Sequence, residues 1–187
     1  TAAGVVFEAA AATGLGHEDV LVAATGASPG LADAAPELGQ LSPIKGHIVR
    51  VAAETDGAVV RSEGIYAAPG AEMAFGATME AGVSDPAVDD ERAAPLLAAG
   101  LSLFPGLRGA PVQIAAGVRA ATPDGLPMAG WSAEPGVILA TGARRNGWLL
   151  APLVAQIVTA CVTGREAGPF AARLDPARFR NQVSLWG

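Results

Sequence analysis

The sequence predicts a mixed α/β fold in which a mostly antiparallel sheet is inserted between pieces of an α/β layer. Three observations predict it. Residues 19–24 and 136–142 are continuous short apolar runs that end in glycine turns, the pattern of strands buried on both faces of a layered sheet. Residues 46–51 alternate apolar and polar, as a half-buried strand does, and further short strands follow with turn residues between them. Residues 149–162 form an apolar run of helix length, stopped by Gly164.

Taken in order, Gly4-Val5-Val6-Phe7-Glu8 reads as a first short strand, and Asp19-Val20-Leu21-Val22-Ala23-Ala24 as a buried one ending at the turn cluster 25–30. Residues 30–41 have room for a short helix that stops near Gly39. Strands are expected at 46–51, 58–61, 64–68 and 72–79, with Pro69-Gly70 as a hairpin turn between the last two. Asp89-Asp90-Glu91 places acid at the start of a helix, where it suits the helix dipole, and Phe104-Pro105-Gly106 ends that helix. Residues 112–121 read as a strand carrying Arg119 late in it, 122–127 as a tight turn, and 136–142 as another buried strand. A buried helix and a polar, proline-containing tail close the chain.

The 187 residues allow one ordinary domain or two small ones, and 51% hydrophobic residues supply a sizeable core. The net charge of -6 and the lack of any Lys/Arg run argue against a nucleic-acid partner. A single cysteine, Cys161, excludes an internal disulfide framework, and His17 and His47 stand too far apart in sequence to suggest a metal cluster. No stretch of about 18 apolar residues is free of Gly, Pro or charge, so no transmembrane helix is expected. The chain opens at Thr1 and runs straight into Ala-Ala-Gly-Val-Val-Phe, without methionine or signal peptide. That reads as the middle of a protein, and the expectation is a fragment or a processed chain. Eleven arginines against one lysine, Lys45, is read as genomic bias.

Two places could carry chemistry. At Thr141-Gly142-Ala143-Arg144-Arg145-Asn146-Gly147-Trp148-Leu149 a buried strand stops, a glycine turn follows and an apolar helix begins. Free N–H groups and the positive dipole end of such a helix stabilise an anion, or a group that becomes anionic during reaction. An ordinary β-α turn with solvent-facing arginines fits the same residues. Arg119 follows small and apolar residues, where a guanidinium rarely stands without a partner; it suits a bidentate carboxylate clamp or a structural salt bridge. Tyr66, the single tyrosine, and Met79 fit core packing as well as a site. Gly14-Leu15-Gly16 is a lone G-x-G with no helix after it, and no phosphate-loop, H-E-x-x-H or G-x-S-x-G motif occurs. Cys161, in an apolar run, reads as an inert thiol.

Five blocks then stand in a telling order: DVLVAATGASPGL (19–31), PIKGHIV (43–49), GIYAAPGAEMAFGATME (64–80), AGVRAATPDGLPMAG (116–130) and LATGARRNGWLLAP (139–152). Together they resemble the C-terminal part of FAD-dependent oxidases of the D-amino-acid oxidase family, nearest its glycine oxidase, thiamine-pathway branch. The resemblance runs from about residue 4 to about 180.

The resemblance implies part of a Rossmann-like FAD-binding domain joined to a mostly antiparallel-sheet substrate domain. Residues 1–41 would be partial FAD domain, 42–115 the substrate domain, and 116–187 a return to the FAD domain. It places Arg119 at the substrate carboxylate, Arg145 close to substrate and flavin, and Tyr66 and Met79 at the pocket wall. Gly142, Ala143, Arg144, Arg145, Asn146, Gly147, Trp148 and Leu149 would hold the flavin ring, and the segment near Ala12 would run near the adenine. No residue is assigned as a general base. The implied reaction is oxidation of glycine, sarcosine or a D-amino acid to the imino acid by non-covalent FAD. Oxygen would be the acceptor and hydrogen peroxide a product, in the cytoplasm. A D-amino-acid dehydrogenase, a sarcosine-oxidase-like enzyme, or a non-catalytic domain that no longer binds FAD are the alternatives, and a homo-oligomer is compatible with all. The sequence departs from the family pattern in having no G-x-G-x-x-G for the FAD pyrophosphate, in Ala143 where a polar residue is usual, and in Trp148 where an aliphatic one is usual. The implied partner is therefore the missing N-terminal half of the same protein.

Overall fold

A computed structural model describes residues 20–28 and 33–179. The strand expected at 4–8, the hairpin before Asp19, the Ala12 segment and the Pro29-Gly30 turn lie outside the described residues.

The architecture has two sheets. The smaller contains β1 (Leu21–Ala23), β9 (Val137–Thr141) and β8 (Met128–Trp131), in that order. β1 and β9 run parallel and β8 is antiparallel to β9. β9 reads Val-Ile-Leu-Ala-Thr because both its faces are covered. Val137 and Leu139 pack with Leu38, Met128 and Phe179. On the sheet's other side Ala129 packs against Ile157 of α2 (Gly147–Thr163) and Leu174 of α3 (Ala171–Leu174).

The larger sheet is antiparallel. Its order is β3 (Val60–Ser62), β4 (Ile65–Ala68), β5 (Met73–Gly76), β2 (Ser42–Val51), and β7 (Val112–Ala121) pairs with the full length of β2. The short β6 (Glu80–Ala81) shares the edge of β2 that β5 occupies. One face of this sheet meets α1 (Asp90–Leu103), where Val49, Val51, Ile65, Met73 and Phe75 close over Ala93 and Leu96. Phe75 lies flat on Gly100, where any Cβ would collide with the ring, and its centroid is 6.1 Å from that of Phe104. α1 begins as its sequence dictates, with the Asp89 side chain accepting from the Arg92 N–H at 3.0 Å.

Several expectations change. The strand expected over 72–79 stops at Gly76 and resumes at Glu80. Between Gly76, opposite Ile48, and Glu80, opposite Lys45, three residues face two, which makes a β-bulge. The helix expected at 30–41 is a 3-10 turn at Pro36–Gln40. β1 is covered on one face only: Leu21 and Ala23 pack into the core, while Val22 and the preceding Val20 are 40% and 41% exposed. α2 is not a buried helix either: only Ile157 and Ala160 are buried, while Trp148 is 98% exposed. β8 and α3 have no counterpart in the sequence reading. Among the described residues no helix is long and apolar enough to cross a membrane.

Candidate functional site

The larger sheet has a second face, away from α1, and its register assembles the site. Arg119 stands opposite Ile44, and Gly46 opposite Gly117, across β2 and β7. Ile48 stands opposite Gly76 across β2 and β5, and Gly76 opposite Tyr66 across β5 and β4. Side chains in directly opposed positions share a face, so Arg119, Ile44, Ile48 and Tyr66 all project from this one. Two glycines make its floor. A Cβ on Gly76 would collide with the Tyr66 ring, and a Cβ on Gly46 would collide with Nη1 of Arg119. Both side chains therefore lie down on the sheet instead of standing away from it.

Arg119 Nη1 is buried and, among the described residues, meets no hydrogen-bond acceptor. Among the same residues Arg119 forms no ion pair. A guanidinium nitrogen buried without an acceptor is costly, and a carboxylate is a group whose geometry matches it.

Tyr66, Met79 and Arg145 meet around a cavity of about 390 Å3, which Arg61, Ser62, Gly76 and Ala77 also line. Met79 reaches it because the bulge carries it out of the ladder, and its sulfur lies 3.9 Å from Arg145 Nη1 and 4.0 Å from Arg144 Nη2. Arg119 does not line this cavity; it lies on the same sheet face, over Gly46.

The turn at Gly142–Asn146 is tied to the strand that carries Arg119. The Arg144 N–H donates to the Ala120 carbonyl at 3.0 Å, and Ala121 and Ala143 form an isolated bridge. Gly142 has φ +76°, and a Cβ there would stand 2.7 Å from Thr122 Cγ2. Arg144 adopts φ +50°, and the Asn146 N–H donates to the Ala143 carbonyl at 2.8 Å. The first turn of α2 follows. It holds no acid, its N-cap side chain makes no capping bond, and Trp148 and Leu149 project outward with 98% and 78% exposure. Its leading N–H groups are thus available, as the sequence suggests. A second cavity, of about 170 Å3, opens between the Thr25–Ser28 turn, Leu41–Pro43 and Ala120, where the two sheets meet.

The 122–127 turn braces Gly142 from below. Thr122 Oγ1 lies 2.6 Å from the Leu126 carbonyl, and the Leu126 N–H donates to Asp124 Oδ1 at 3.0 Å. Arg178 locks the turn: its Nε donates to Asp124 Oδ2 at 2.8 Å and its Nη2 to the Leu126 carbonyl at 2.8 Å. The Arg178 hydrogen bond is the main reason the Asp124 carboxyl is held below its ordinary value, against the opposing effect of burial.

Three contributors were not singled out from sequence. Gly46 and Gly76 carry no signal of their own in the sequence, although period-2 alternation puts both on the site face. The third is His47, 0% exposed, which was read only as an unlikely metal ligand. Its Nε2 accepts the Asp89 N–H at 3.0 Å, and its Nδ1 lies 3.0 Å from Thr78 Oγ1 and 3.1 Å from Glu80 Oε1.

Comparison with known proteins places this geometry. The family model described as FAD dependent oxidoreductase (DAO) matches residues 1–161. The bifunctional protein ThiO/ThiG of Trichormus variabilis is 34% identical over 129 residues, covering 67% of this chain and 20% of that protein. The glycine oxidase of Pseudomonas aeruginosa is 33% identical over 143 residues, covering 73% of this chain and 38% of that one. Among solved structures, glycine oxidase from Geobacillus kaustophilus superposes with a TM-score of 0.73 at 30% identity, covering 85% of this chain and 45% of that one. The chain thus spans between a fifth and less than half of the length of these relatives. With a family match over most of its length, the chain belongs to the DAO family of FAD-dependent oxidoreductases.

Proposed function

We propose that this chain supplies the substrate face and the flavin-ring end of an enzyme that oxidises a small amino acid, glycine or a close relative, with oxygen as acceptor. The observation that carries the reading is Arg119: a buried guanidinium nitrogen that meets no acceptor among the described residues, on the sheet face that also carries Tyr66. Residues 42–115 form most of that substrate face, and residues 116–187 return to the FAD-binding part.

The residues present fit the ring end of a flavin. The turn from Gly142 to Asn146 brings backbone close through Gly142, and the first turn of α2 offers N–H groups with no acid beside them. Gly142 to Leu149 would hold that end, and the chain has no G-x-G-x-x-G for the pyrophosphate. Bound FAD would supply the two-electron acceptor. Arg119 holds the substrate carboxylate and so fixes where the α-carbon stands. Tyr66 and Met79 limit the space beside it, and Arg145 adds positive charge at the cavity mouth. No side chain here is assigned a proton-transfer role.

An absorption spectrum of the purified protein tests the reading, followed by a peroxide assay with glycine, sarcosine and D-alanine. Flavin bands near roughly 375 and 450 nm, with peroxide formed from at least one substrate, are expected. Flavin bands that bleach under anaerobic substrate without peroxide would point to a dehydrogenase. A colourless protein that takes up no added FAD would overturn the cofactor assignment.

A further inference from the structure

The bulge between β5 and β6 is held by a buried network that the function above does not use. At the bulge the ladder to β2 is broken, and Thr78 replaces it. The His47 N–H donates to Thr78 Oγ1 at 2.8 Å instead of to a carbonyl, and the Thr78 N–H returns to the His47 carbonyl at 3.3 Å. The Thr78 hydroxyl in turn donates to Glu80 Oε1 at 3.2 Å. Beneath this, the imidazole is fully enclosed. Its Nε2 accepts from the Asp89 N–H, so the hydrogen-bond pattern assigns the single ring proton to Nδ1, which faces Thr78 Oγ1 and Glu80 Oε1. Every polar atom of the ring has a partner. One side chain thereby ties β2, the bulge, β6 and the N-cap of α1 together.

The bulge is also where this network meets the site. Its carbonyl at Thr78 would stand 2.6 Å from a Cβ on Gly46, a point that Arg119 Nη1 also crowds. The residue after it, Met79, is the one that reaches Arg144 and Arg145. Ala77, the residue before, lines the cavity.

We infer that His47 is a positioning residue for the carboxylate site: through Thr78 it fixes the bulge, and the bulge fixes the Arg119 guanidinium over Gly46 and Met79 at the cavity. The inference rests on the reading of Arg119 as a carboxylate clamp. It makes His47 act from the α1 side of the sheet on a ligand bound to the other side. Leucine at 47 keeps the volume and loses both ring hydrogen bonds. Glutamine keeps one amide N–H to donate toward Thr78 and Glu80 and one oxygen to accept from the Asp89 N–H.

The test is acetate binding to the purified protein, followed by NMR at the arginine Nε–H signals. It uses wild type, Arg119→Met, His47→Leu, His47→Gln, Thr78→Val and Ile157→Ala. The last lowers stability from the other sheet's core and touches nothing in the network. Wild type should bind acetate and Arg119→Met should not. His47→Leu and Thr78→Val should each weaken binding about tenfold or more, because displacement of a clamp by a fraction of an ångström is felt strongly. His47→Gln should stay within about twofold of wild type, since it restores both bonds. If His47→Leu does not fold, Thr78→Val carries the test, as it removes one hydroxyl from a half-buried site. Acetate binding unchanged in Thr78→Val and His47→Leu would overturn the inference while leaving the Arg119 reading intact. An equal loss in Ile157→Ala would show that general stability is responsible, and would overturn it too. Acetate binding that survives Arg119→Met would overturn the clamp itself and the inference with it.

Discussion

The guanidinium of Arg119 lies across Gly46, so that a methyl group on that α-carbon would stand 2.9 Å from Cζ and collide with Nη1. The two residues are on neighbouring strands of one sheet, Arg119 two positions beyond the Gly117 that faces Gly46. An arginine that lies down on a sheet needs a partner strand without a side chain at the crossing, and Gly46 provides it. The consequence is that the site can be damaged without touching a polar group.

Gly46→Ala should displace Arg119 and strain the bulge at Thr78. The arginine tip can swing away from the added methyl, whereas the Thr78 carbonyl, 2.6 Å from it, is backbone and yields only if the bulge shifts. The expected result is an increase in the substrate KM of about tenfold or more with a smaller change in kcat, since uniform binding is what is lost. Steady-state kinetics against glycine checks it. Unchanged KM would mean that Arg119 works from another position.

Gly76→Ala should act on Tyr66 in the same manner. The ring lies on Gly76, and the added methyl would meet the ring carbons and the hydroxyl. Tyr66 is pushed into the 390 Å3 cavity, which it lines with Met79 and Arg145. Substrates with larger side chains should lose more of their kcat/KM than glycine does, and a comparison of glycine with D-alanine and D-valine reads this out.

Acid should loosen the turn under Gly142. The Asp124 carboxyl is held below its ordinary value of 3.8, chiefly by Arg178. A lowered folded pKa means that the stabilisation is complete above the unfolded value and is lost as pH falls through the folded one. Asp124 is 38% exposed, so solvent screens the pair and its contribution is modest. Melting temperature should fall below about pH 4 in the wild type, and Asp124→Asn should flatten that part of the profile. Arg178→Ala removes bonds to Asp124 and to four carbonyls, of Leu126, Pro127, Leu174 and Asp175, and should cost about 1–3 kcal/mol at neutral pH.

Cys161 should be a slow thiol. Burial pushes its pKa up, and the Asp175 charge adds to that. The thiolate is the reactive form, so at pH 7 a disulfide reagent should modify the folded protein more slowly than the unfolded chain. Equal rates would show that the α2–α3 packing around it is open.

Phe75→Ala should be the most damaging of the core truncations facing α1. Phe75 is fully buried, lies against Gly100 and stacks on Phe104. The cavity left behind should cost about 3–5 kcal/mol, measured by urea denaturation.

Much of the fold was legible because local signals and tertiary needs agree. The Asp89 cap, the uniformly apolar β9 and the Gly164 stop at φ +64° appear where their residues dictate, whereas β2 begins at Ser42, ahead of the alternating stretch 46–51, and is buried on both faces over 44–47. The bulge was not legible. Nothing in Phe75-Gly76-Ala77-Thr78-Met79 marks an extra residue, because its cause is the buried bond from His47 to Thr78, 31 residues away in sequence. β8 was hidden because Met-Ala-Gly-Trp has neither length nor alternation, and it becomes a strand only when β9 pairs with it. The exposure of α2 had no sequence signal either, since an apolar helix looks alike whether its partner is its own sheet or another surface. In the site, Arg119 was visible as a charge in small and apolar surroundings, and Tyr66 only as the single tyrosine. The glycines beneath them were not, because a floor is defined by what lies on it.

The role proposed for Arg119 is to hold the carboxylate of the substrate in a flavin-dependent oxidation. The most direct test is the KM for glycine of the FAD-loaded protein, wild type against Arg119→Met, with peroxide as the readout. Peroxide is expected from the wild type, with a KM raised about a hundredfold in the variant and flavin absorbance retained. Flavin-loaded protein that oxidises glycine with the same KM in both forms would contradict it.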